Sequence, residues 1–364
     1  MLNFAELGCK RNLKDFLKFK KYVLFGSGEA SDEVFKYLSK QKKEIICYLD
    51  NNPALINKKK NNINIYSPSK INEIFKKDIA IVISSSAQKE IANQLENDFG
   101  IPRSNIFPYV TQMFSTDFNT DYLLKNKSNV EKALALMADK ESYDYFMRII
   151  KYRWTLDPFC LLPNPQLLSF YNYKKVKLSK GDVIIDCGAY IGDTAEMYLK
   201  SLDGNCRIFA IEAFPTNYEK LNNWIRLNKM QKKVFPMLLA VGNKSGHIEL
   251  FHNDNFDPRA SLKNNKKRES MRIEMQTIDN LFFQNNERIN LIKMDIEGAE
   301  MDALKGAKKI ISRDSPNLAI AGYHIASHLW EIPILINKLN PKYKIYAGHH
   351  PKCIYEIEFY VKPQ

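Results

Sequence analysis

The sequence predicts an α/β fold with two mostly parallel sheets, each in its own domain. Three observations lead to this fold class. Strand and helix signals alternate in two separate segments, a helical stretch without glycine or proline lies between them, and each segment carries a glycine-rich turn between its first strand and first helix. A length of 364 residues also favours two domains. We predict a smaller domain over 1–112, a helical linker over 113–175 and a larger domain over 176–364.

The smaller domain is predicted from apolar runs and helical spacing. Strands are expected where the chain is continuously apolar, in YVLF, EIICYLD and DIAIVISS. Apolar residues at helical intervals follow the first and the third of these runs, and the second helical stretch stops at Gly100, with Pro102 just beyond it. This βαβαβ pattern is typical of a small parallel sheet.

The larger domain repeats the alternation more strongly. Strands are predicted in DVIIDCGA, RIFAIEAF, VFPMLLAVG, HIELFH, INLIKMD, NLAIAGYH, YKIYAGHH and YEIEFYVK. Helical spacing separates most of them, which indicates parallel neighbours. The last two strands are joined by a short connection, so we expect them to be antiparallel. The prediction is one parallel sheet that ends in an antiparallel pair.

Composition narrows the class of protein. The hydrophobic share of 45% and the charged share of 26% are ordinary for a soluble globular protein. No apolar stretch is long enough to span a bilayer, and the N-terminus lacks the apolar core of a secretory signal. The six cysteines are scattered without a CxxC pair, which argues against a zinc ribbon or a redox pair. We therefore expect a cytoplasmic protein with reduced thiols.

The net charge of +13 raises the question of nucleic acid. The lysines are spread along the whole chain, however, and accompany many asparagines, as in NKKKNNINI and KNNKKRES. This pattern indicates a compositional bias and not one basic face. We do not expect a nucleic-acid partner; an anionic small substrate, such as a sugar phosphate, suits the charge balance better.

The first glycine loop, FGSGEAS, places Gly26, Gly28 and Ser31 between a strand and a helix, and Asp50 ends the next strand. This order suits a dinucleotide-binding turn, in which backbone N–H groups meet an anion and the acid meets a ribose. The third glycine of that motif is replaced by Ser31. A bound NAD, a contact with a nucleotide or nucleotide sugar, and a purely structural turn all stay open.

The second glycine loop, IIDCGAYIGDT, belongs to a larger set of residues. Asp186 ends the preceding strand, Gly188 and Gly192 stand four residues apart, and the next strand ends at Glu212. Glycine lets the backbone approach a ligand closely, Glu212 can hold both hydroxyls of a ribose, and Asp186 would lie near a ligand's amino group. Together with the acid-rich strand end KMDIEGAE, the set suits S-adenosylmethionine, which is cationic and carries a ribose. An NAD-type site or an empty turn is the alternative.

Five blocks occur in order along the larger domain: DCGAYIGDTAEMY, IEAFPTNYEKLNNWIRLN, LLAVGNKSGHIELF, QTIDNLFF and LIKMDIEGAEMDALKGA. They resemble the successive blocks of the FkbM-type S-adenosylmethionine-dependent methyltransferases, a family rich in sugar and natural-product O-methyltransferases. The smaller domain, with VLFGSGEASDEVFKYL and ICYLDNNP, is similar to the Rossmann-like domains attached to several sugar-modifying enzymes. The resemblance implies two Rossmann-like domains and methyl transfer to oxygen.

The resemblance also implies where the cofactor binds. The candidate cofactor-binding residues are Asp186, Gly188, Ala189, Tyr190, Gly192, Thr194, Glu212 and Asp295. Asp295 ends the strand INLIKMD and would lie beside the transferred methyl group. Ligands of parallel α/β sheets bind at these carboxyl ends, which agrees with the assignment.

Asp295 and His324 are the candidate catalytic residues. A sugar hydroxyl needs a base, or a divalent metal that lowers its pKa, before it is a good nucleophile. Both residues end strands that should be neighbours, so we expect them side by side. A divalent metal held by Asp295 and His324, with Glu297 as a third ligand, is a further hypothesis, and a general site role or a structural role for His324 stays open. Glu300 is predicted to be a helix-start charge that offsets the helix dipole.

These features predict a S-adenosylmethionine-dependent O-methyltransferase that acts on a sugar hydroxyl of a nucleotide-activated sugar or surface-glycan precursor, in polysaccharide biosynthesis. The alternative is an RNA methyltransferase. Base methyltransferases typically use an Asn/Asp-Pro-Pro-aromatic turn or a catalytic cysteine, whereas this chain has DIEG there, with no cysteine nearby. A nicotinamide-dependent sugar enzyme would need a Tyr-x-x-x-Lys pair that the chain lacks in a suitable place. The expected partner is a small-molecule substrate, and the oligomeric state stays open.

Overall fold

The computed structural model describes residues 2–109, 120–160, 176–252, 269–284, 287–350 and 353–364. The chain divides into two compact units. The first consists of Met1–Glu131, Asp144–Leu167 and Pro351–Tyr355, and the second of Lys132–Tyr143, Leu168–His350 and Glu356–Gln364. The predicted boundaries at 112 and 175 lie in or beside stretches outside the described residues, so that division of the chain stays a prediction.

A six-stranded sheet forms the centre of the first unit. Its strands are β1 (Lys21–Phe25), β2 (Glu44–Leu49), β3 (Lys59–Lys60), β4 (Ile63–Tyr66), β5 (Ile79–Ile83) and β6 (Ile106–Pro108). The helices up to residue 155 are α1 (Leu13–Leu17), α2 (Ala30–Lys40), α3 (Ile71–Ile74), α4 (Gln88–Asn97), α5 (Thr120–Lys125), α6 (Lys127–Ala135) and α7 (Lys140–Thr155). Short 3₁₀ helices are found at Phe4–Leu7, Pro53–Leu55, Pro68–Lys70, Arg103–Asn105 and Pro158–Cys160.

The strand order of this sheet is β3-β4-β2-β1-β5-β6. All neighbouring pairs except β3–β4 are parallel. The three strands predicted from the sequence correspond to β1, β2 and β5. The sequence does not predict β3, β4 or β6, because strands of two to four residues are too short to show a hydrophobic period. The chain crosses over between β1 and β5, and that is the switch point at which sheets of this kind bind ligands.

The described residues from 176 onwards form ten strands and six helices. The strands are β7 (Val183–Cys187), β8 (Arg207–Glu212), β9 (Val234–Leu238), β10 (Ala240–Val241), β11 (Gly246–His252), β12 (Glu269–Gln276), β13 (Leu291–Met294), β14 (Asn317–Ala321), β15 (Tyr343–His350) and β16 (Cys353–Pro363). The helices are α8 (Asp193–Ser201), α9 (Pro215–Leu227), α10 (Ile278–Phe282), α11 (Glu300–Lys305), α12 (Lys308–Asp314) and α13 (His328–Leu339).

The main sheet of this unit has the order β15-β16-β14-β13-β7-β8-β9. The pairs from β14 to β9 are parallel, and β16 is antiparallel to β14. The predicted fold class, α/β with mostly parallel sheets, is confirmed. Cys187 at the end of β7 lies opposite Met294 of β13 and Ile211 of β8. These three strands therefore end at one edge of the sheet, and the residues that follow them are brought together.

A second sheet in this unit, β10-β12-β11, was not expected. The sequence predicts a single sheet that includes 234–242 and 247–252, and this is wrong, because only β9 of that stretch joins the main sheet. β12 is not predicted at all, although buried Ile273 lies between the exposed Arg272 and Glu274, the alternation of a strand with one covered face. Periodicity indicates a strand but does not say which sheet it joins.

The core behind the main sheet fixes the strands on which the site depends. Every residue of β7 is buried. Ile184 of β7 and Ile208 of β8 pack in one cluster with Leu221 and Ile225 of α9, and each such side chain contributes about 1.5–3 kcal/mol when buried. α9 begins with Pro215, whose fixed φ suits the first helical position. Within the described residues, no helix is both long and apolar enough to cross a membrane.

Candidate active site

The ends of β7, β8 and β13 are joined by backbone hydrogen bonds. The N–H groups of Gly188 and Ala189 both donate to the carbonyl of Ile211, at 2.9 and 3.0 Å. The N–H of Asp295 donates to the carbonyl of Cys187 at 3.1 Å. The second glycine loop, the end of β8 and the start of the acidic segment after β13 thus meet at one place, as the sequence predicts.

Two glycines of this loop are required by the fold itself. Gly188 has φ +79°, and a Cβ there would lie 1.9 Å from the carbonyl oxygen of Asp295. Gly192 has φ +98° and precedes α8, and a Cβ there would lie 2.9 Å from the ring of Trp224. Only glycine accommodates both the backbone conformation and the contact. Thr194 follows in the first turn of α8, where it is buried.

Glu212 is fixed by two backbone donors. The N–H of Tyr190 donates to its Oε2 at 2.9 Å, and the N–H of Phe214 donates to its Oε1 at 2.8 Å. The carboxylate is buried, and this burial raises its pKa, against the effect of the two N–H groups. Tyr190 itself has φ +49° and is exposed, a strained backbone of the kind that concentrates at functional sites.

Asp186 is paired with a lysine that the sequence analysis does not single out. Lys293 of β13 lies opposite it on the neighbouring strand, with Nζ 3.0 Å from Oδ1. Lys293 also donates to the carbonyl of Gly188 at 2.7 Å. Burial raises the pKa of Asp186 to about 6, against the opposing effect of Lys293. Asp186 thus supports the glycine loop through Lys293. Its contact with a ligand's amino group stays a prediction.

A signal for Lys293 was present in the sequence. It is the one charged residue inside the apolar run LIKM, and in the structure it is buried with its whole strand. A lysine in a fully buried strand requires a carboxylate partner. Asp186, in the strand DVIID, was the available partner on the neighbouring strand.

Three carboxylates surround His324. Its Nδ1 lies 2.8 Å from Oε1 of Glu300, and its Nε2 lies 3.3 Å from Oδ1 of Asp295 and 3.7 Å from Oε2 of Glu297. Burial alone would lower the pKa of His324, but the three negative charges outweigh burial and raise it to about 10. The ring therefore carries a positive charge at neutral pH. The predicted proximity of Asp295 and His324 is confirmed, whereas their catalytic roles stay predictions.

Glu300 is much more than a helix-start charge. It is the first residue of α11, as the sequence predicts, but it is completely buried. Oε1 accepts from the N–H groups of Ile296 and Gly298, and Oε2 lies 3.2 Å from Nδ1 of His328. Burial would raise its pKa, but His324 and His328 outweigh it and hold the pKa far below the usual value. Its place at the helix start agrees with the prediction, and the contacts with two buried histidines are what the sequence analysis does not foresee.

Asp295 and Glu297 form the outer layer of this cluster. Their side chains are 25% and 37% exposed, in contrast to the buried Glu300 below them. The hydroxyl of Tyr323 donates to Oδ1 of Asp295 at 3.2 Å. Glu297 has φ +53°, and Gly298 follows with φ +106°, so the segment turns sharply before α11. Asp295 and Glu297 are therefore accessible to a ligand, whereas the His324 cation beside them is largely buried.

The tentative metal site is not built from a complete set of ligands here. In the part of the chain that the structure describes, no group of three or more His, Cys, Asp and Glu side chains is arranged to hold a metal ion. Metal dependence stays a prediction to be tested.

Two family sequence models match different parts of this chain. Residues 186–346 match the sequence model of a family described as methyltransferase FkbM domain. Residues 18–107 match that of another family, described as C2185-like, N-terminal.

Two relatives are similar to this chain. Methyltransferase sdnD of Sordaria araneosa is 24% identical over 172 residues, which cover 39% of this chain and 66% of that protein, slightly under two thirds of its length. The solved structure of methyltransferase FkbM from Methylobacillus flagellatus KT is similar with a TM-score of 0.74 and 20% identity, covering 94% of this chain and 90% of that chain. At this identity the likeness shows the fold.

Proposed function

Because residues 186–346 belong to the FkbM methyltransferase family, we propose that this chain transfers a methyl group from S-adenosylmethionine to a sugar hydroxyl. The observation that carries the proposal is the convergence of three strand ends. Gly188 lies against Asp295, Glu212 is held by the same loop, and the carboxylates of Asp295 and Glu297 face outward.

The residues at this edge fit S-adenosylmethionine. Glu212, fixed by two N–H groups, would accept hydrogen bonds from the ribose hydroxyls. The turn at Gly188 lets the loop lie against Asp295, which brings Glu212 and Asp295 to the same edge of the sheet. Asp295 and Glu297 would offset the ligand's positive charge. When bound, this cofactor would supply an electrophilic methyl group for transfer to an acceptor oxygen, with S-adenosylhomocysteine as the leaving group.

Asp295 is the proposed proton acceptor. It is the partly exposed carboxylate nearest the strand end, and Nε2 of His324 and the hydroxyl of Tyr323 hold it in place. His324 already carries a proton at neutral pH, because its pKa is raised to about 10, so it cannot take another. We assign His324 the role of a positioning residue and give the proton of the acceptor hydroxyl to Asp295, a step worth about 10²–10⁴ in rate.

A sugar hydroxyl is the proposed acceptor. The family resemblance is to sugar and natural-product O-methyltransferases, and two exposed carboxylates are suited to accept hydrogen bonds from hydroxyl groups. The same carboxylates would repel the phosphate backbone of RNA. The substrate class that we propose is a nucleotide-activated sugar or a surface-glycan precursor, methylated in the cytoplasm.

The test is transfer of an isotope-labelled methyl group from S-adenosylmethionine to a panel of free sugars, nucleotide-activated sugars and RNA. We expect label in a sugar, a loss of about 10²–10⁴-fold in turnover for Asp295→Asn with cofactor binding retained, and turnover that survives exhaustive EDTA treatment. Asp302→Asn, which changes an exposed acid of the following helix α11, is the matched control. Label in RNA alone, or full turnover by Asp295→Asn, would contradict the proposal. Loss of turnover in EDTA would support the metal hypothesis, and full turnover would overturn it.

A further inference from the structure

A cavity of about 730 Å³ lies in the first unit, at the carboxyl ends of β1, β2 and β5. Its wall includes the first glycine loop, Asp50 after β2, the serines at 84–86 after β5, and Glu90 and Asp98 near α4. This is the switch point of the sheet, where α/β folds bind ligands. A volume of this size suits a small organic molecule.

The backbone at this cavity repeats that of the candidate active site. The N–H of Gly26 donates to the carbonyl of Leu49 at 2.8 Å, and Leu49 is the residue before Asp50. Gly188 makes the same bond to the residue before Glu212. Both glycines have positive φ, +101° and +79°, so the two loops leave their strands in the same way.

The strand-end acid is held in the same manner in both units. Oδ2 of Asp50 accepts from both the N–H and the hydroxyl of Ser27, at 2.9 and 2.5 Å, and Oδ1 accepts from the N–H of Asn52 at 2.9 Å. Glu212 is likewise bonded to its glycine loop through one oxygen and to the N–H two residues further on through the other. A carboxylate fixed in this way has accepting capacity left for ligand hydroxyls. Asp50 is therefore placed to bind a vicinal diol.

The third strand end differs between the units. The N–H of Ser84 donates to the carbonyl of Phe25 at 2.8 Å, as Asp295 donates to Cys187. Ser84 is buried, and its hydroxyl donates to the carbonyl of Gly26 at 2.7 Å. The position that carries the outward carboxylate in the second unit thus carries an internally bonded hydroxyl in the first. The first unit keeps the binding geometry without the proposed base.

The first loop has glycine at positions 26 and 28 for different physical reasons. Gly26 is required by the chain, because a Cβ there would lie 2.7 Å from the carbonyl oxygen of Ser84. Gly28 has no positive φ, and a Cβ there would meet nothing within 4 Å. The protein itself therefore does not need glycine at 28, although glycine costs conformational entropy. The absence of a side chain at Gly28 keeps the cavity beside the loop open.

The charge of the cavity wall limits the ligand. The lining residues include four carboxylates, those of Glu29, Asp50, Glu90 and Asp98, and, among the residues that the structure describes there, neither lysine nor arginine. The ammonium group of Lys60 is bonded to the loop itself, because it donates to the carbonyls of Ser27 and Gly28. Such a wall disfavours phosphate groups.

We propose that the first unit binds a ribonucleoside in this cavity, with the ribose hydroxyls on Asp50 and without a contribution from phosphate groups. The site would bind the nucleoside without catalysing a reaction, since Ser84 follows β5 at the position that Asp295 occupies after β13. This is a second site, separate from the proposed cofactor site, and it does not depend on the function proposed above.

The test is calorimetric titration of the full chain with uridine, 2′-deoxyuridine and UDP. We expect uridine to bind, 2′-deoxyuridine to bind about tenfold more weakly or worse because a hydrogen bond to a charged group is lost, and UDP to bind no more tightly than uridine. Gly28→Trp adds an indole at a cavity-lining position where a Cβ meets nothing within 4 Å, and it should abolish uridine binding by occupying the cavity. Ser39→Trp, at the exposed far end of α2, is the matched control and should bind as the wild type does.

Adenosine is titrated in the same way, because the proposed cofactor site could also take it. We expect Gly28→Trp to remove one of two adenosine sites. The thermal unfolding midpoints of both tryptophan variants establish that they are folded. Absence of binding by both nucleosides, binding that Gly28→Trp leaves unchanged, or tighter binding of UDP than of uridine would each overturn the proposal.

Discussion

Glu300 and His324 bring opposite charges into a space that excludes water, and neither would be ionised there alone. Burial disfavours the charged form of each, and the partner charge reverses that effect. The two N–H donors from the turn before α11 complete the environment of the carboxylate. The residues therefore act as a unit, and removing one partner leaves an uncompensated charge in the interior.

The pH dependence of stability follows from the directions of the two pKa shifts. The pKa of His324 is raised from 6.5 to about 10, so its contribution is complete below about pH 6.5 and is lost as the pH rises towards 10. The pKa of Glu300 is lowered from 4.5, so its contribution is present above that pH and is lost as the pH falls further. The pair stabilises the fold most between these limits.

Glu300→Gln is expected to lower the free energy of unfolding by about 3–5 kcal/mol, because it leaves His324 without its closest countercharge. Urea unfolding at neutral pH measures this loss, and NMR titration of the His324 ring should show a pKa below that of the wild type. Asp302→Asn, on an exposed side chain of α11, should change stability by less than about 0.5 kcal/mol. A similar small change in Glu300→Gln would show that the buried pair does not stabilise the fold.

Gly188→Ala is expected to destabilise the second unit more than Gly181→Ala does. Both glycines have positive φ, +79° and +92°, so both alanines carry a backbone strain of about 1–3 kcal/mol. Only the first also drives a methyl group to 1.9 Å from a backbone carbonyl, whereas a Cβ at Gly181 meets nothing within 4 Å. Equal unfolding midpoints for the two variants would contradict the close approach of the loop to Asp295.

At the scale of elements, β7 and β13 are joined by charge as well as by backbone hydrogen bonds. Asp186 and Lys293 face each other across the two strands, and Lys293 extends the link to the glycine loop. The pair therefore couples the strand that starts the loop to the strand that carries Asp295. A substitution in this pair is expected to affect both the glycine loop and the strand end that carries Asp295.

Lys293→Met is expected to cost about 3–5 kcal/mol of stability, because Asp186 stays buried and loses its partner. The double variant Asp186→Leu with Lys293→Met removes both charges and should recover most of the loss, as replaced buried ion pairs often do. A thermodynamic cycle of the two single variants and the double variant measures the coupling. Additive losses would show that the two charges do not interact.

Much of the fold could be predicted from the sequence, and the misses have physical reasons. β1, β2 and β5 and the strands that bear the site are long apolar runs, whereas β3, β4 and β6 are too short to show a period. The convergence of Gly188, Glu212 and Asp295 followed from parallel strand ends. The burial of Glu300 could not be predicted in this way, because helix-start acids are usually solvated and only tertiary packing places the two histidines beside this one.

At the scale of the whole molecule, the chain uses one backbone arrangement twice. A glycine with positive φ, a strand-end acid held by two N–H groups and a third strand end recur in both units. The outward carboxylate and the cation beneath it belong to the second unit. The lysines behind the net charge of +13 are distributed along the whole chain and belong to neither arrangement in particular.

The central claim is that Glu212 and the glycine loop of the second unit form the cofactor site. Calorimetric titration of the full chain with S-adenosylhomocysteine tests it most directly, carried out in the Gly28→Trp background so that the first unit does not contribute. We expect one site per chain, and a loss of affinity of about 10–100-fold in Glu212→Gln, since a charged hydrogen bond to ribose is worth about 1.5–3 kcal/mol. No binding by the parent chain, or equal affinity in Glu212→Gln, would contradict the assignment.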